Sequence, residues 1–162
     1  MSSAIVRGLL WTAAASSGLL GGVYFAFSSF VMASLARAPG TAGVEAMQSM
    51  NVVILRTPFM TVFFASTALA ALLLVLAILG QGGSRIWAVS ACLLYLIGMF
   101  GVTAFGNVPM NDTLTGMSPS VAVSGGYWRT FLSDWTLLNH LRMVASLAAS
   151  GLFAIAAHTL RR

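Results

Sequence analysis

The chain has 162 residues, of which 59% are hydrophobic and only 7% are charged, whereas soluble domains average about 45–50% apolar and about 25% charged residues. This composition excludes an ordinary soluble domain and a disordered chain, and the length allows a single domain over residues 1–162. The net charge of +5 comes from eight Arg against three acids, and the Arg residues are scattered singly between apolar runs, apart from Arg161 and Arg162. Such charges indicate membrane flanks and not a nucleic-acid surface.

Four apolar stretches are long enough to cross a bilayer core, which needs roughly 20 helical residues. They cover about 8–36, 57–79, 86–107 and 142–160. Each is predicted to be a helix, because hydrocarbon offers backbone groups no partner outside their own segment. The predicted fold class is therefore all-α: a polytopic transmembrane four-helix bundle with a long, partly helical loop between spans three and four.

The first stretch has an alternative interpretation as a signal peptide, since Arg7 precedes an apolar core and small residues follow at 13–17. The apolar run continues far beyond any cleavage point, which favours a span. Within it, Gly18 and Gly22 form a small-residue track, typical of a bundle interface or of a homo-oligomer contact.

The connections between spans differ in length. Residues 81–84 predict a tight turn, and the first loop, residues 37–56, has helical spacing from Met47 to Ile54. The third connection is long, and from Tyr127 onward its pattern predicts a helix that runs directly into span four. With four spans, loops one and three lie on the same side of the membrane.

Orientation follows from the Arg residues, which divide equally between the two faces but are more concentrated on the short-loop side. This favours both termini in the cytoplasm. We expect a multi-pass protein of the bacterial inner membrane that contacts membrane lipid, binds a lipophilic small molecule and binds no nucleic acid.

Polar residues on the helix that leads into span four fall on one face. Trp128, Trp135, Asn139 and Arg142 are separated by seven, four and three residues, and at about 100° per residue this spacing forms one stripe. The stripe is predicted to face other helices, because lipid would leave its polar groups unpaired. Arg142 is the most informative member, since a charge near hydrocarbon is costly unless it reaches the interface, pairs, or lines a wet cavity.

Further polar residues converge on this membrane face from the other helix ends. Asn107 and Asn111 end span three, and Pro109 is predicted to interrupt the helix between them. Asn51 and Arg56 precede span two. The sequence therefore predicts a binding site at the face of loops one and three, with His140 and Arg142 as catalytic candidates and the following substrate-binding residues: Asn51, Arg56, Asn107, Asn111, Trp128, Trp135 and Asn139.

These residues also have structural interpretations. His140 is either a general base, since histidine changes charge near neutral pH, or a hydrogen-bonded interfacial residue. Trp128 and Trp135 are either aromatic-belt anchors or ligand contacts, and Arg56 and Arg142 are either flanking charges or site residues. A metal site needs three or more converging ligands, which the sequence does not offer, so neither a metal nor another cofactor is predicted.

Three segments carry a resemblance to a known family: Gly21-Gly22-Val23-Tyr24-Phe25-Ala26-Phe27-Ser28, Asn107-Val108-Pro109-Met110-Asn111 and Trp135-Thr136-Leu137-Leu138-Asn139-His140-Leu141-Arg142. Together they resemble the anthrone oxygenase-like family of small four-span membrane proteins, much of which is a domain of unknown function in bacteria. The resemblance extends over about 18–157. The residues that match by position are Asn107, Asn111, Trp135, Asn139, His140 and Arg142.

The resemblance implies a helical membrane bundle and, as in fungal members, oxidation of an anthrone to an anthraquinone by O₂ without an evident cofactor. Under this hypothesis His140 takes the proton, Asp112 or Asp134 orients it, Arg142 stabilises the enolate oxygen, and the two Trp rings stack on the substrate. Fold transfers between relatives more safely than function. The alternative is a non-enzymatic membrane module that binds a lipid, a quinone or a partner protein.

Overall fold

The computed structural model describes residues 2–81 and 85–160 of the chain. It is 89% helical and contains no strand within these ranges, which confirms the all-α prediction. The predicted turn at 81–84 falls mostly outside the described residues, as do Arg161 and Arg162.

The described residues form six helices. We label them α1 (Ser3–Arg37), α2 (Ala42–Ile54), α3 (Pro58–Ile78), α4 (Arg85–Thr115), α5 (Pro119–Ser124) and α6 (Tyr127–Thr159). Three segments within them have the wider π-helical hydrogen-bond pattern: Phe27–Val31 in α1, and Leu94–Gly101 and Thr103–Asn107 in α4.

Helices α1, α3, α4 and α6 are long and apolar enough to cross a membrane, which confirms the four predicted spans. Helices α4 and α6 contain 31 and 33 residues, so at 1.5 Å per residue they are roughly 46 and 50 Å long. A bilayer core is about 30 Å thick, and both helices therefore continue past it. As predicted, the helix from Tyr127 runs without a break into span four. Membrane orientation and the bacterial inner membrane remain predictions.

Helix α4 differs from the sequence prediction at Pro109. The helix was predicted to be interrupted there, yet it continues from Thr103–Asn107 into Val108–Thr115. The Val108 amide donates to the Thr103 carbonyl, five residues back. Proline has no amide hydrogen to continue the ordinary pattern, and a π-helical turn just before it changes the hydrogen-bond register without breaking the helix.

Helix α6 is central to the bundle and packs along α1 and against α4. The small residues of α1 make this possible: a side chain added at Gly18 would meet Ser150, and one added at Gly21 would meet Leu147. Gly22 is exposed and has no neighbour within 4 Å of such a position. Gly18 therefore allows α1 and α6 to pack closely within the bundle. A homo-oligomer that forms through Gly18 and Gly22 remains a prediction.

A second, smaller core lies on the loop-one/loop-three side of the membrane. There the cap is formed by the Met32–Arg37 end of α1, by α2, by the Val108–Thr115 end of α4, by α5 and by the first turns of α6. Its buried side chains are Met32, Leu35, Val44, Met47, Leu114, Ala122, Phe131 and Trp135. Gln48 of α2 donates to the Leu114 carbonyl at 2.7 Å and to the Met117 carbonyl at 2.9 Å. These bonds fix α2 over the ends of the spans.

Candidate functional site

A cavity of about 460 Å³ lies between the cap and the spans. Ligand cavities typically measure about 300–1,000 Å³, so this one has room for a small-molecule ligand. Helices α1, α2, α3, α4 and α6 all contribute to its walls. Most of the lining is apolar, and the aromatic members are Tyr24, Phe27, Phe59, Phe63, Phe64, Phe100 and Trp135.

Arg142 is the only basic residue that lines this cavity within the described ranges, and only 6% of its surface is exposed. Its guanidinium carbon lies 4.5 Å from the ring centroid of Tyr24 and 5.1 Å from that of Trp135. One terminal nitrogen donates to Asn139 Oδ1 at 2.7 Å, and the other is 3.5 Å from Thr103 Oγ1. Its Nε is buried and has no hydrogen-bond partner.

No carboxylate forms an ion pair with Arg142 among residues 2–81 and 85–160. A buried charge is costly unless it is paired and hydrogen-bonded, and two aromatic rings and two hydrogen bonds offset only part of that cost. An anionic or acceptor oxygen from a bound molecule would supply the missing partner. The electrostatics of the cavity therefore favour a ligand with a negatively polarised oxygen.

Asn139 connects Arg142 to α1. Its Nδ2 donates to the Tyr24 carbonyl at 2.8 Å and to the Ser28 hydroxyl at 2.7 Å. Ser28 belongs to the π-helical segment of α1, and π-helical turns frequently occur at functional sites. His140 Nδ1 lies 2.8 Å from the same Ser28 hydroxyl. The imidazole is therefore at the outer end of a hydrogen-bonded series that reaches Arg142 through Ser28 and Asn139.

Two further asparagines hold Trp135 in place. Trp135 Nε1 donates to Asn111 Oδ1 at 2.8 Å, and Asn107 Nδ2 donates to the Trp135 carbonyl at 3.1 Å. Asn107 is completely buried, and Trp135 is 4% exposed. Both bonds cross from α4 to α6, so the indole ring is fixed beside the guanidinium.

On the cap side, α2 contributes Asn51 to the cavity wall, and the Asn51 Nδ2 is buried without a hydrogen-bond partner. Buried polar groups in folded proteins are almost always paired. Asn51 and Arg142 therefore each have one unpaired buried donor, and both residues line the cavity.

The structure brings five of the nine predicted site residues to the cavity wall: Asn51, Asn111, Trp135, Asn139 and Arg142. The other four lie elsewhere. Asn107 sits behind Trp135, His140 and Arg56 are exposed, and Trp128 stacks on Phe131 in the cap with ring centroids 5.6 Å apart. The functional roles assigned to all nine residues from the sequence stay predictions.

Several lining residues were not predicted from the sequence. Phe59, Phe63 and Phe100 form an aromatic wall, and the sequence gives no sign of it because phenylalanine is equally common on faces that meet lipid. The end of α4 does carry a signal: Val108, Asn111, Asp112 and Thr115 all line the cavity. Their spacing of i, i+3, i+4 and i+7 is that of one helix face.

Metal ligands do not gather here or elsewhere in the described part of the chain, where no group of three His, Cys, Asp or Glu side chains could hold an ion.

Fold and cavity together define a helical membrane protein with an aromatic-lined site built around a buried arginine. The family model described as anthrone oxygenase matches residues 59–152, more than half of the chain. The chain therefore belongs to the anthrone oxygenase family, which confirms the resemblance noted in the sequence. The matched range includes α4, α5, nearly all of α3 and most of α6, whereas Asn51 and α1 precede it. No curated protein and no solved structure matches the chain.

Proposed function

We propose that this protein oxidises a planar, lipophilic aromatic substrate of the anthrone type with molecular oxygen. The observation that carries the proposal is the buried Arg142, which faces an aromatic-lined cavity without a carboxylate partner. Membership of the anthrone oxygenase family supports the same reaction class.

The chemistry of an anthrone suits such a site. Removal of a methylene proton leaves an anion whose charge is delocalised onto the carbonyl oxygen, which makes it an aromatic oxyanion. Arg142 would stabilise this oxyanion, since Asn139 and Thr103 already hold the guanidinium in place. Preorganised donors in a dry site stabilise developing charge without reorganising during the reaction.

Oxygen completes the reaction without a further co-reactant. The carbanionic carbon gives electrons to O₂ and forms a carbon–oxygen bond, and the resulting hydroperoxide loses water to give a second ketone. One O₂ is consumed and one water is released for each anthrone converted to an anthraquinone. Because most of its lining is apolar, the cavity suits both O₂ and an aromatic substrate.

The aromatic wall would position the substrate. Tyr24, Phe27 and Trp135 lie around the guanidinium, with Phe27 and Trp135 ring centroids 5.6 Å apart. Offset or edge-to-face aromatic contacts contribute about 0.5–1.5 kcal/mol each beyond the burial of surface. Such contacts hold a flat ring system in one plane while Arg142 binds its oxygen.

The test is turnover of anthrone by the purified protein in lipid nanodiscs, followed as O₂ uptake and anthraquinone absorbance. We expect Arg142→Met to lower kcat by about 100-fold or more. Arg129→Met is the matched control, since Arg129 is an exposed arginine of the same helix and should change kcat less than twofold. Wild-type turnover no faster than autoxidation in empty nanodiscs would rule out the proposal.

A second candidate function is binding of a lipid or a quinone without chemistry. The observation that favours it is the exposure of two cavity-lining side chains, Leu55 at 64% and Phe64 at 57%, which leaves an apolar path out of the cavity. Mass spectrometry of the intact protein separates the two. A retained acyl lipid or quinone, combined with absent turnover of anthrone, would favour the binding module.

A further inference from the structure

We propose that Asp112 is the proton acceptor of the reaction, a role that rests on the proposed function. The chain has three acids, Glu45, Asp112 and Asp134. All three lie in the described ranges, and Asp112 is the one that lines the cavity. A general base must reach the proton it removes directly or through one water, and Asp112 has the position for this.

The direction of Asp112 follows from the helix that carries it. Val108, Asn111, Asp112 and Thr115 occupy one face of the α4 end, and all four line the cavity. Leu114 lies on the other side, where it is completely buried in the cap. The packing of Leu114 therefore sets the rotation of this helix end and keeps the Asp112 face toward the cavity.

Asp112 and Arg142 both line the cavity and do not form an ion pair. Asn111, which precedes Asp112 in the chain, accepts a hydrogen bond from Trp135 Nε1 at 2.8 Å. The Trp135 ring in turn lies 5.1 Å from the Arg142 guanidinium. The cavity wall thus carries a cationic and an anionic side chain whose charged nitrogen and oxygen atoms lie more than 4.0 Å apart.

The reaction of an anthrone requires a base and an oxyanion donor that are separate. The acidic methylene of an anthrone lies opposite the carbonyl across the central ring, so a base and an oxyanion donor must stand a ring apart. A carboxylate paired directly with the arginine could not serve both ends of the molecule. Asp112 and Arg142 supply the two groups without neutralising each other.

The proposed step transfers a proton from the substrate carbon to the Asp112 carboxylate. The methylene C–H bond breaks, its proton goes to the Asp112 carboxylate, and its electron pair enters the ring system as the oxyanion beside Arg142. O₂ is the oxidant that subsequently accepts electrons from this anion. The Asp112 carboxylic acid then returns this proton to the peroxide anion that forms on the carbon, which gives the hydroperoxide and regenerates the carboxylate for the next turnover.

His140 is the competing base, and its surroundings differ from those of Asp112. It does not line the cavity, and its Nδ1 is 2.8 Å from the Ser28 hydroxyl. Ser28 in turn accepts from Asn139, so two side chains stand between the imidazole and the guanidinium. Direct proton removal from a substrate in the cavity is therefore assigned to the carboxylate.

The experiment compares Asp112→Asn, His140→Gln and Glu45→Gln in nanodiscs, with anthrone turnover and with binding of a non-reactive anthraquinone as separate readouts. Glu45 is the matched control, because it is an exposed acid on the same side of the membrane and does not line the cavity. We expect Asp112→Asn to lower kcat by about 10²–10⁴-fold and to bind anthraquinone within threefold of wild type. Glu45→Gln should keep kcat within twofold.

Chemical rescue tests the role of the carboxylate itself. Added formate should raise the kcat of Asp112→Ala at least tenfold and should not help Arg142→Met, in which the oxyanion donor is missing. An Asp112→Asn variant as active as wild type, together with an inactive His140→Gln, would overturn the assignment and leave the proposed function intact. Absent wild-type turnover would overturn both, and unimpaired anthraquinone binding by Asp112→Asn excludes misfolding as the cause of a loss.

Discussion

Arg142 and Asn139 lie one turn apart on α6, and the guanidinium donates to the Asn139 amide oxygen at 2.7 Å. The nitrogen of the same amide donates to the Tyr24 carbonyl at 2.8 Å and to the Ser28 hydroxyl at 2.7 Å. Asn139 therefore holds Arg142, the one charged residue that α6 contributes to the cavity wall. The same asparagine connects Arg142 to the π-helical turn of α1. The position of Arg142 depends on the packing of α1 against α6 and not on α6 alone.

The first prediction concerns this amide. Asn139→Leu should lower the free energy of unfolding by about 1–3 kcal/mol, because it leaves a buried Arg142 N–H without a partner and removes the bonds from α6 to Tyr24 and Ser28. It should also lower kcat for anthrone, since the guanidinium loses its support. Denaturation of the detergent-solubilised protein and turnover in nanodiscs are the measurements. Ser28→Ala removes one of the three bonds to this amide, so it should lower the free energy of unfolding by less. Equal stability of Asn139→Leu and wild type would contradict the prediction.

A second prediction uses tryptophan fluorescence. The chain has four tryptophans, and Trp135 lines the cavity, so a bound anthraquinone should quench its emission. Trp135→Phe keeps an aromatic ring, loses only the bond from Nε1 to Asn111, and should remove most of the ligand-dependent quenching while the protein stays folded.

Trp11→Phe is the matched control for this experiment. Trp11 is 50% exposed and lies near the start of α1, on the opposite membrane face, so its loss should leave the quenching unchanged. Quenching that disappears in Trp11→Phe and persists in Trp135→Phe would place the ligand outside the cavity.

The four spans could be predicted because their signal is continuous apolar sequence, which only a membrane or a large core can accommodate. The continuity of α6 was also predictable, since the stripe from Trp128 to Arg142 keeps one helical spacing across the membrane boundary. Asn139 and Arg142 were identified for the same reason: polar groups on such a stripe must face other helices.

Other parts of the site depend on tertiary packing that periodicity does not contain. Spacing predicts that α2 is helical but not that Gln48 fixes it over the span ends. His140 follows Asn139 in sequence, yet a step of about 100° per residue turns it away from the cavity and toward Ser28. Arg56 lies in the short α2–α3 connection, where it is exposed. Trp128 shares the stripe of Trp135 but lies two turns earlier, where the cap covers it.

A third prediction tests the close packing of α4 against α6. A Cβ added at Gly98 would lie 2.6 Å from the Ala145 Cβ, whereas one added at Gly151 has nothing within 4 Å. Gly98→Ala should lower the unfolding free energy by about 1–3 kcal/mol through overpacking. Gly151→Ala should be neutral or raise it by up to about 1 kcal/mol, since alanine is the better helix former. Thermal unfolding in one detergent is the comparison, and equal effects of the two substitutions would contradict the close contact between the two helices.

The last prediction concerns access to the cavity through α2. Gln48 donates from one amide nitrogen to the Leu114 and Met117 carbonyls at 2.7 and 2.9 Å, and α2 carries Met47, Met50 and Asn51 in the cavity wall. Gln48→Met keeps the length of the side chain and removes both bonds, each worth about 0.5–1.5 kcal/mol. We expect faster amide hydrogen exchange over residues 42–54, because α2 separates more often from the end of α4.

The same variant should release a bound anthraquinone faster, by about fivefold or more if the two lost bonds together contribute at least 1 kcal/mol to closure. Ser49→Ala is the matched control, since Ser49 is the exposed neighbour on α2 and should alter neither exchange nor release. If hydrogen exchange rises in Gln48→Met while the release rate stays at the wild-type value, α2 is held by Gln48 but does not gate the cavity. The ligand then leaves by the exposed apolar side beside Leu55 and Phe64, a route that does not require α2 to move.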